Sequence, residues 1–419
     1  MKNLIKENIE NPEQLEKLYR FDRKGFAKAF SEIYPEISEH PASAFWKARL
    51  EPDTVKADWL ITVKKDLLFL LVTCALAGFF IKFPAIFRTE ADMDAFYIKN
   101  AGLVVIGALT LYYLLTVKGF KVVHLIFTTL IFFVSAIYIN LLPGDVHLNT
   151  VLLACLHLPV ILWFIYGLVY SGFNLREKSG WINYIRYNGE LAVMFGIIAI
   201  AGGILTAVTI GLFDVININA ERFYSDYVVI IGAVSAPVAA TFLIRYFPAI
   251  TSKIPPVIAS IFSPLVLLTL IIYLLVILLS GKSLYTNRDF LLVFNVMLLG
   301  VTAIIVFSVS ETTFFFRQRL LEVILLALVI FAIITDLLAL SAIIYRLGEY
   351  GFTPNRTAVL GSNLLILGNL VLFARDLYRV NFKKDSAGIL ENTIAKYLPV
   401  YAIWAVIVVF IFPVIFGLR

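Results

Sequence analysis

The sequence predicts an all-α, polytopic transmembrane helical bundle of about 11 spans, preceded by a small N-terminal helical region. Of its 419 residues, 60% are hydrophobic and only 15% are charged, and the mean hydropathy is +0.89. A water-soluble domain of this size needs a more highly charged surface. Stretches of about 17–25 apolar residues match a hydrocarbon core of about 30 Å, and inside lipid each must satisfy its own backbone hydrogen bonds as a helix.

Residues 1–66 form the polar region, and residues 67–419 form the predicted membrane domain. The first 66 residues contain twelve basic and twelve acidic side chains. Asn11 and Pro12 have the pattern of a helix N-cap followed by a first-turn proline, and Pro35 is expected to end a helix. We expect a cytoplasmic helical cap, on which a protein partner could dock.

The predicted spans share high apolarity and a length close to the thickness of a bilayer. They cover 67–87, 101–117, 122–139, 150–170, 191–213, 225–247, 257–279, 290–309, 320–345, 357–374 and 397–416.

Basic residues in the short loops predict the orientation of the chain. Alternate loops hold fourteen Lys and Arg residues on one side and nine on the other. Because cytoplasmic loops carry the excess of positive charge, we expect the N-terminus in the cytoplasm. An odd number of spans then places the C-terminus outside.

Composition and motifs exclude several classes of function. The formal charge of +6 comes from Lys and Arg in loops, where they face lipid headgroups. We therefore expect membrane lipids as partners and no nucleic acid, which would require a basic face on a soluble domain. The motifs of soluble nucleotide-binding, zinc and serine enzymes are absent, and no metal or cofactor is expected.

Aromatic residues precede the fifth span. Trp181, Tyr184 and Tyr187 lie among basic residues, a composition typical of an interfacial helix. We expect these rings to anchor the helix at the level of the lipid headgroups.

Small residues recur every four positions in the fifth and sixth spans. They are Ala199, Gly203, Ala207 and Gly211 in the fifth, and Gly232, Ala236 and Ala240 in the sixth. Such spacing lets helix backbones approach closely, so we expect these two stripes to pack together.

A repeated pattern, NR-x6-N-x2-[LI]-LG, occurs twice in the C-terminal third. One copy holds Arg288, Asn295 and Gly300, and the other holds the equivalent positions 68 residues later. The pattern is interpreted either as a parallel two-span repeat or as a chance coincidence of four polar or glycine matches among apolar helices.

Asp336 lies well inside a predicted span between the two copies. An ionised aspartate at a helix centre costs roughly 2.5–3.5 kcal/mol on insertion scales, so it should face the bundle interior. Asn295 and Asn363 lie at a similar predicted depth in its outer half. The three side chains are interpreted either as a polar clamp or as a substrate or proton site, and its candidate residues are Asp336, Asn295, Asn363, Arg288, Arg346, Glu349 and Arg356, with the arginines available to neutralise the aspartate.

The loop Tyr345–Arg356 reads YRLGEYGFTPNR and is followed by a stretch that ends in ARDLYR. This segment resembles the uncharacterised bacterial membrane family called domain of unknown function 4153. The resemblance depends on Arg346, Tyr350, Gly351, Thr353, Pro354 and Arg356. It implies a multi-pass protein of the bacterial inner membrane and no established activity.

Many spans, proline-interrupted helices and an intramembrane carboxylate favour a transporter or permease for a small or amphiphilic solute. Two other classes of function stay open. One is a membrane-embedded enzyme that acts on a lipid or a lipid-linked substrate, and the other is a non-catalytic scaffold or sensor.

Overall fold

The computed structural model of the chain describes residues 1–87, 93–117, 119–215, 221–248, 254–280, 288–311, 318–386 and 388–418. Every regular element in these ranges is a helix. The chain divides into two compact units, Met1–Leu68 and Phe69–Arg419, at a point two residues beyond the predicted boundary.

The first unit contains three short helices and the beginning of a long one. They are α1 (Lys2–Glu7), α2 (Pro12–Phe21), α3 (Arg23–Ile37) and α4 (Pro41–Ile81), of which α4 runs across the unit boundary. Their apolar faces enclose a small core that includes Leu15, Phe26, Phe30 and Trp46. At the surface, the Lys2 ammonium lowers the pKa of the Glu32 carboxyl below its ordinary value.

The ends of these helices follow local capping chemistry. As predicted, Asn11 caps α2, and its side chain accepts a hydrogen bond from the backbone N–H of Gln14 at 3.3 Å. Asp22 begins α3 in the same way, accepting from the N–H of Gly25 at 2.9 Å. The predicted stop at Pro35 is wrong, because α3 continues to Ile37. A proline this close to a helix end removes only one backbone hydrogen bond.

The second unit is built from the remaining helices. They are α5 (Phe83–Ile86), α6 (Met93–Thr116), α7 (Val122–Leu141), α8 (Asn149–Tyr170), α9 (Lys178–Val215), α10 (Glu221–Phe223), α11 (Ile230–Tyr246), α12 (Ile254–Ser280), α13 (Arg288–Glu311), α14 (Gln318–Tyr350), α15 (Pro354–Lys383), α16 (Gly388–Val406) and α17 (Phe412–Phe416). Wider π-helical turns, Tyr224–Val229 and Ile407–Ile411, lead into α11 and α17.

Eight helices in the described ranges are long and apolar enough to cross a membrane. They cover Met93–Thr116, Val122–Leu141, Asn149–Tyr170, Lys178–Ala207, Glu221–Tyr246, Glu322–Tyr350, Pro354–Lys383 and Gly388–Phe416. The three other predicted spans fall on α4, α12 and α13, where shorter apolar segments such as Phe262–Ile272 and Met297–Val309 are found. The chain is thus an all-helical multi-pass membrane protein, and the count of about 11 stays a prediction.

In the described ranges, prolines lie inside membrane helices without breaking them, so the broken helices that would support transport are not found. Pro159, Pro237 and Pro264 lie inside α8, α11 and α12, which continue through them. Membrane helices tolerate proline because neighbouring groups satisfy the freed carbonyl. Broken helices therefore do not contribute to any argument about function.

The C-terminal half of the unit brings five helices together, α12 to α16. α14 packs along α15, α13 and α12, while α16 packs against α15 and α8. Buried side chains from all of them, including Leu328, Leu370 and Leu398, join one extended core. This arrangement positions the polar residues of the candidate site.

The predicted headgroup belt before the fifth span is wrong. Trp181 and Tyr184 are 1% and 0% exposed, and Tyr187 is also buried. Their polar atoms find partners inside the protein: the Tyr184 hydroxyl donates to the carbonyl of Trp163 at 2.7 Å. α9 begins at Lys178 without a separate interfacial helix, so these rings belong to the packed interior.

The fifth and sixth spans pack together as predicted, but their contact does not run through the small-residue stripe of the fifth span. α9 does pack against α11, but Ala199, Gly203 and Ala207 are exposed, and no described atom comes within 4 Å of a Cβ built on Gly203. The surroundings of Gly211 lie outside the described part of the chain. Small residues allow a neighbouring helix to approach closely, but they do not determine which helix packs there. The helices that pack on α9 contact other parts of it.

Candidate functional site

Asn295 and Asn363 form a direct pair between α13 and α15. The Nδ2 group of Asn363 donates to Oδ1 of Asn295 at 2.9 Å, and Asn363 is buried. These residues occupy equivalent positions in the two copies of the repeated pattern, 68 residues apart. The structure therefore brings together two of the three polar side chains that the sequence placed at one depth.

Asp336 is fully buried, with 0% of its surface exposed. It is the central residue of the candidate span Glu322–Tyr350. Neither of its carboxylate oxygens has a hydrogen-bond partner among the described residues. Asp336 thus faces the protein interior, as predicted, but accepts no bond from the asparagine pair.

Asn369 and Tyr401 are polar residues of the site that sequence reasoning missed. Asn369 donates through Nδ2 to the Tyr401 hydroxyl oxygen at 2.9 Å, and its own Oδ1 is buried without a partner in the described part of the chain. Tyr401 lies within electrostatic range of Asp336, but its hydroxyl donates no hydrogen bond to either oxygen of that carboxylate. We call Asp336, Asn369 and Tyr401 the central cluster.

The position of each residue within its own helix gave a signal for this cluster. Asn369 is one of the two middle residues of Pro354–Lys383, and Tyr401 lies one residue from the centre of Gly388–Phe416. Three separate helices therefore present a polar group halfway along a candidate span. A tyrosine among apolar residues is usually interpreted as a core residue, so the sequence alone did not mark Tyr401 as part of a polar site.

Three buried polar residues of α15, which are Asn363, Asn369 and Asp376, organise both groups. Asn369 and Asp376 lie close to two helical turns apart on one face, whereas Asn363, six residues before Asn369, is rotated from them by about a third of a turn, so this polar stripe winds round the helix. Asp376 accepts a hydrogen bond from the Thr393 hydroxyl on α16 at 2.5 Å. From Asn363 to Asp376 this polar stripe covers about 20 Å of a hydrocarbon core about 30 Å thick.

Arg346 and Arg356 do not neutralise Asp336 in the way the sequence suggested. Arg346 follows it by ten residues on α14, an axial rise of about 15 Å that exceeds the reach of the side chain. Arg356 instead donates through Nη1 to the carbonyls of Tyr350 and Gly351 at 2.8 and 2.9 Å. The side chain of Arg288 lies outside the described residues.

The loop before α15 is shorter than the sequence indicated. α14 continues to Tyr350, so Arg346 and the exposed Glu349 lie on a helix, and Glu349 is not part of the central cluster. Thr353 caps α15, and its side chain accepts a hydrogen bond from the backbone N–H of Arg356 at 3.3 Å. Arg356 therefore closes the turn and has a structural role.

Among the described residues, no group of three or more His, Cys, Asp and Glu side chains could hold a metal ion. A small cavity of about 220 Å³ lies between α12 and α13. Its lining is apolar apart from Thr269, whose hydroxyl donates to the carbonyl of Leu265. This cavity can accept an apolar group but offers no charged ligand.

Comparison of the chain with protein-family models, with curated proteins and with solved structures gave no match. The resemblance of the loop Tyr345–Arg356 to the family called domain of unknown function 4153 therefore stays a prediction.

Proposed function

We propose that this chain is a transporter or permease of the bacterial inner membrane that moves a small or amphiphilic solute. The observation that carries the proposal is Asp336, a carboxylate buried at the middle of a candidate span without a hydrogen-bond donor in the described residues. Leaving such a group unpaired in an apolar interior costs several kcal/mol, and intramembrane acids commonly mark ion and substrate pathways.

The asparagine pair and the central cluster support this proposal together. Both lie between helices of one bundle, at successive depths along α15. A structural clamp would satisfy its own polar atoms, as Asp376 and Thr393 do. Asp336 leaves both acceptors open, which is the arrangement expected of a group that binds something else.

Transport can be measured with the full chain in proteoliposomes on a solid-supported membrane. Concentration jumps of amino acids, sugars, carboxylates and amphiphilic amines should give a charge movement for at least one class. Asp336→Asn should reduce that signal at least about tenfold, because a substrate or proton site loses its only carboxylate, equivalent to about 1.4 kcal/mol or more.

The matched control is Glu349→Gln, the same acid-to-amide change on an exposed residue of the same helix. This variant should retain the signal, and size-exclusion chromatography should show both variants folded. Turnover of lipids without solute movement would favour the membrane enzyme. The absence of both activities would favour the scaffold or sensor, and either result would contradict transport.

Topology gives a separate prediction: residues 1–66 and the segment 374–396 lie in the cytoplasm. In a chain whose two native cysteines, Cys74 and Cys155, are replaced by alanine, new cysteines at Asp145 and Lys383 occupy exposed positions. A membrane-impermeant maleimide added to intact cells should label only Asp145→Cys, because the basic loop around Lys383 stays inside. Permeabilised cells should show labelling of both, and equal labelling in intact cells would overturn the orientation.

A further inference from the structure

The central cluster contains more acceptors than donors. Asp336 contributes two oxygens without a partner, and Asn369 contributes a third, all buried in the described part of the protein. The Tyr401 hydroxyl accepts from Asn369, so its own proton is left to be donated. The central cluster therefore has three buried hydrogen-bond acceptors and too few donors in the described residues to satisfy them.

The helices packed against α14 offer Asp336 few titratable neighbours among the described residues. Residues 290–310 on α13 contain no Asp, Glu, Lys, Arg or His, and α12 has only Tyr273 as a titratable group, whose side chain lies outside the description. On α15 the nearest acid is Asp376, seven residues beyond Asn369 and bonded to Thr393. From α16 the facing titratable group is Tyr401, with Tyr397 one turn earlier.

We propose that Asp336, Asn369 and Tyr401 form a proton-binding site at the middle of the bundle. The ionised carboxylate takes one proton from hydronium, an O–H bond forms and water is released, and the same proton returns to water when the site discharges. The bound proton removes the charge and supplies a donor to the orphan acceptors. The inference rests on the proposed function for the use of this proton, which we assign as the coupling ion.

A proton fits this site better than a metal cation. Hard cations require about six or more oxygen ligands, and the central cluster offers the two carboxylate oxygens, one amide oxygen and one hydroxyl. A proton needs a single oxygen and a nearby partner. That partner is the Tyr401 hydroxyl, which Asn369 holds in place: it is not bonded to Asp336 in the structure, and we assign to it the donation of its proton to the ionised carboxylate.

Infrared difference spectroscopy of the full chain in lipid nanodiscs tests the site directly. As the pH falls, a carbonyl band of a protonated carboxylic acid should grow, shift in heavy water, and be missing from Asp336→Asn. Tyr401→Phe should move the midpoint of this titration to higher pH by about one unit, because the ionised carboxylate loses a hydrogen-bond donor.

Tyr397→Phe is the matched control on the same helix. The Tyr397 hydroxyl donates to the carbonyl of Leu365 at 2.8 Å, so its loss should leave the midpoint unchanged. If Asp336→Asn does not fold, Asp336→Glu replaces it, since a glutamic acid retains the band but shifts its frequency. The site is refuted by the lack of any band that depends on Asp336, by a band that persists at every pH, or by equal shifts in the two tyrosine variants.

The two proposals fail in different ways. Solute uptake that ignores a pH gradient, with no titrating Asp336 band, would refute the proton site and leave the transporter. A titrating Asp336 band in a protein that moves no solute would do the reverse.

Discussion

Trp181→Ala is expected to lower the free energy of unfolding by roughly 3 kcal/mol, the largest loss for any single substitution considered. The indole is 1% exposed and stacks on Phe164 with 5.2 Å between ring centroids. It also packs so closely on Gly167 that a Cβ there would lie 2.7 Å from the ring. Because lipid is as apolar as the protein interior, the loss comes mainly from the cavity and its missing contacts.

Phe195→Ala is the control for this substitution, since Phe195 lies on the same helix and is 37% exposed. It should change stability by about 0.5 kcal/mol or less. Unfolding by SDS in mixed micelles, followed through the reaction of buried Cys155 with a thiol dye, measures both variants. A small loss in both would place Trp181 at the headgroups and restore the belt that the sequence suggested.

Asp336→Leu is expected to stabilise the protein, by about 1–3 kcal/mol. Leucine has the same branching as aspartate and removes two buried oxygens that lack donors in the described structure. Replacing unpaired buried polar groups with apolar ones of similar shape is often favourable.

Asp376→Leu provides the opposite case, because Asp376 is buried and hydrogen-bonded to Thr393. This substitution should destabilise the protein by about 1–3 kcal/mol, since the Thr393 hydroxyl loses its acceptor. The same unfolding assay measures both leucine variants. A comparable loss in Asp336→Leu would show that Asp336 acts as a clamp after all.

The sequence predicted part of the candidate site because insertion energies constrain polar residues strongly. Asp336 could not face lipid at a tolerable cost, and Asn295 and Asn363 occupied equivalent positions of a repeated pattern. The burial of Asp336 and the asparagine pair followed from these two facts. Its separation from the arginines follows from the 1.5 Å rise per residue, once α14 is known to continue through Arg346.

Other expectations depended on which neighbour a helix meets, and composition does not contain that information. Trp181, Tyr184 and Tyr187 have the makeup of a belt, yet α8 and α11 cover them with partners such as Trp163 and Thr241. Gly203 has the spacing of a helix contact, yet no described atom approaches it. The sequence did not indicate Tyr401 for the same reason, because its role in the central cluster depends on Asn369 and Asp336, which lie on two other helices.

The polar stripe along α15 also bears on how the protein is assembled. Asn363 is bonded to α13, whereas Asn369 and Asp376 are bonded to α16, so a turn of α15 about its axis or a slide along it breaks all three contacts together. The stripe thereby fixes both the rotation of α15 about its own axis and its position along that axis relative to α13 and α16. During synthesis α15 enters the membrane before α16 exists, with Asn369 and Asp376 still awaiting their partners. α15 and α16 must then join the bundle as a unit, so the insertion of α16 is the step that fixes the position of both helices.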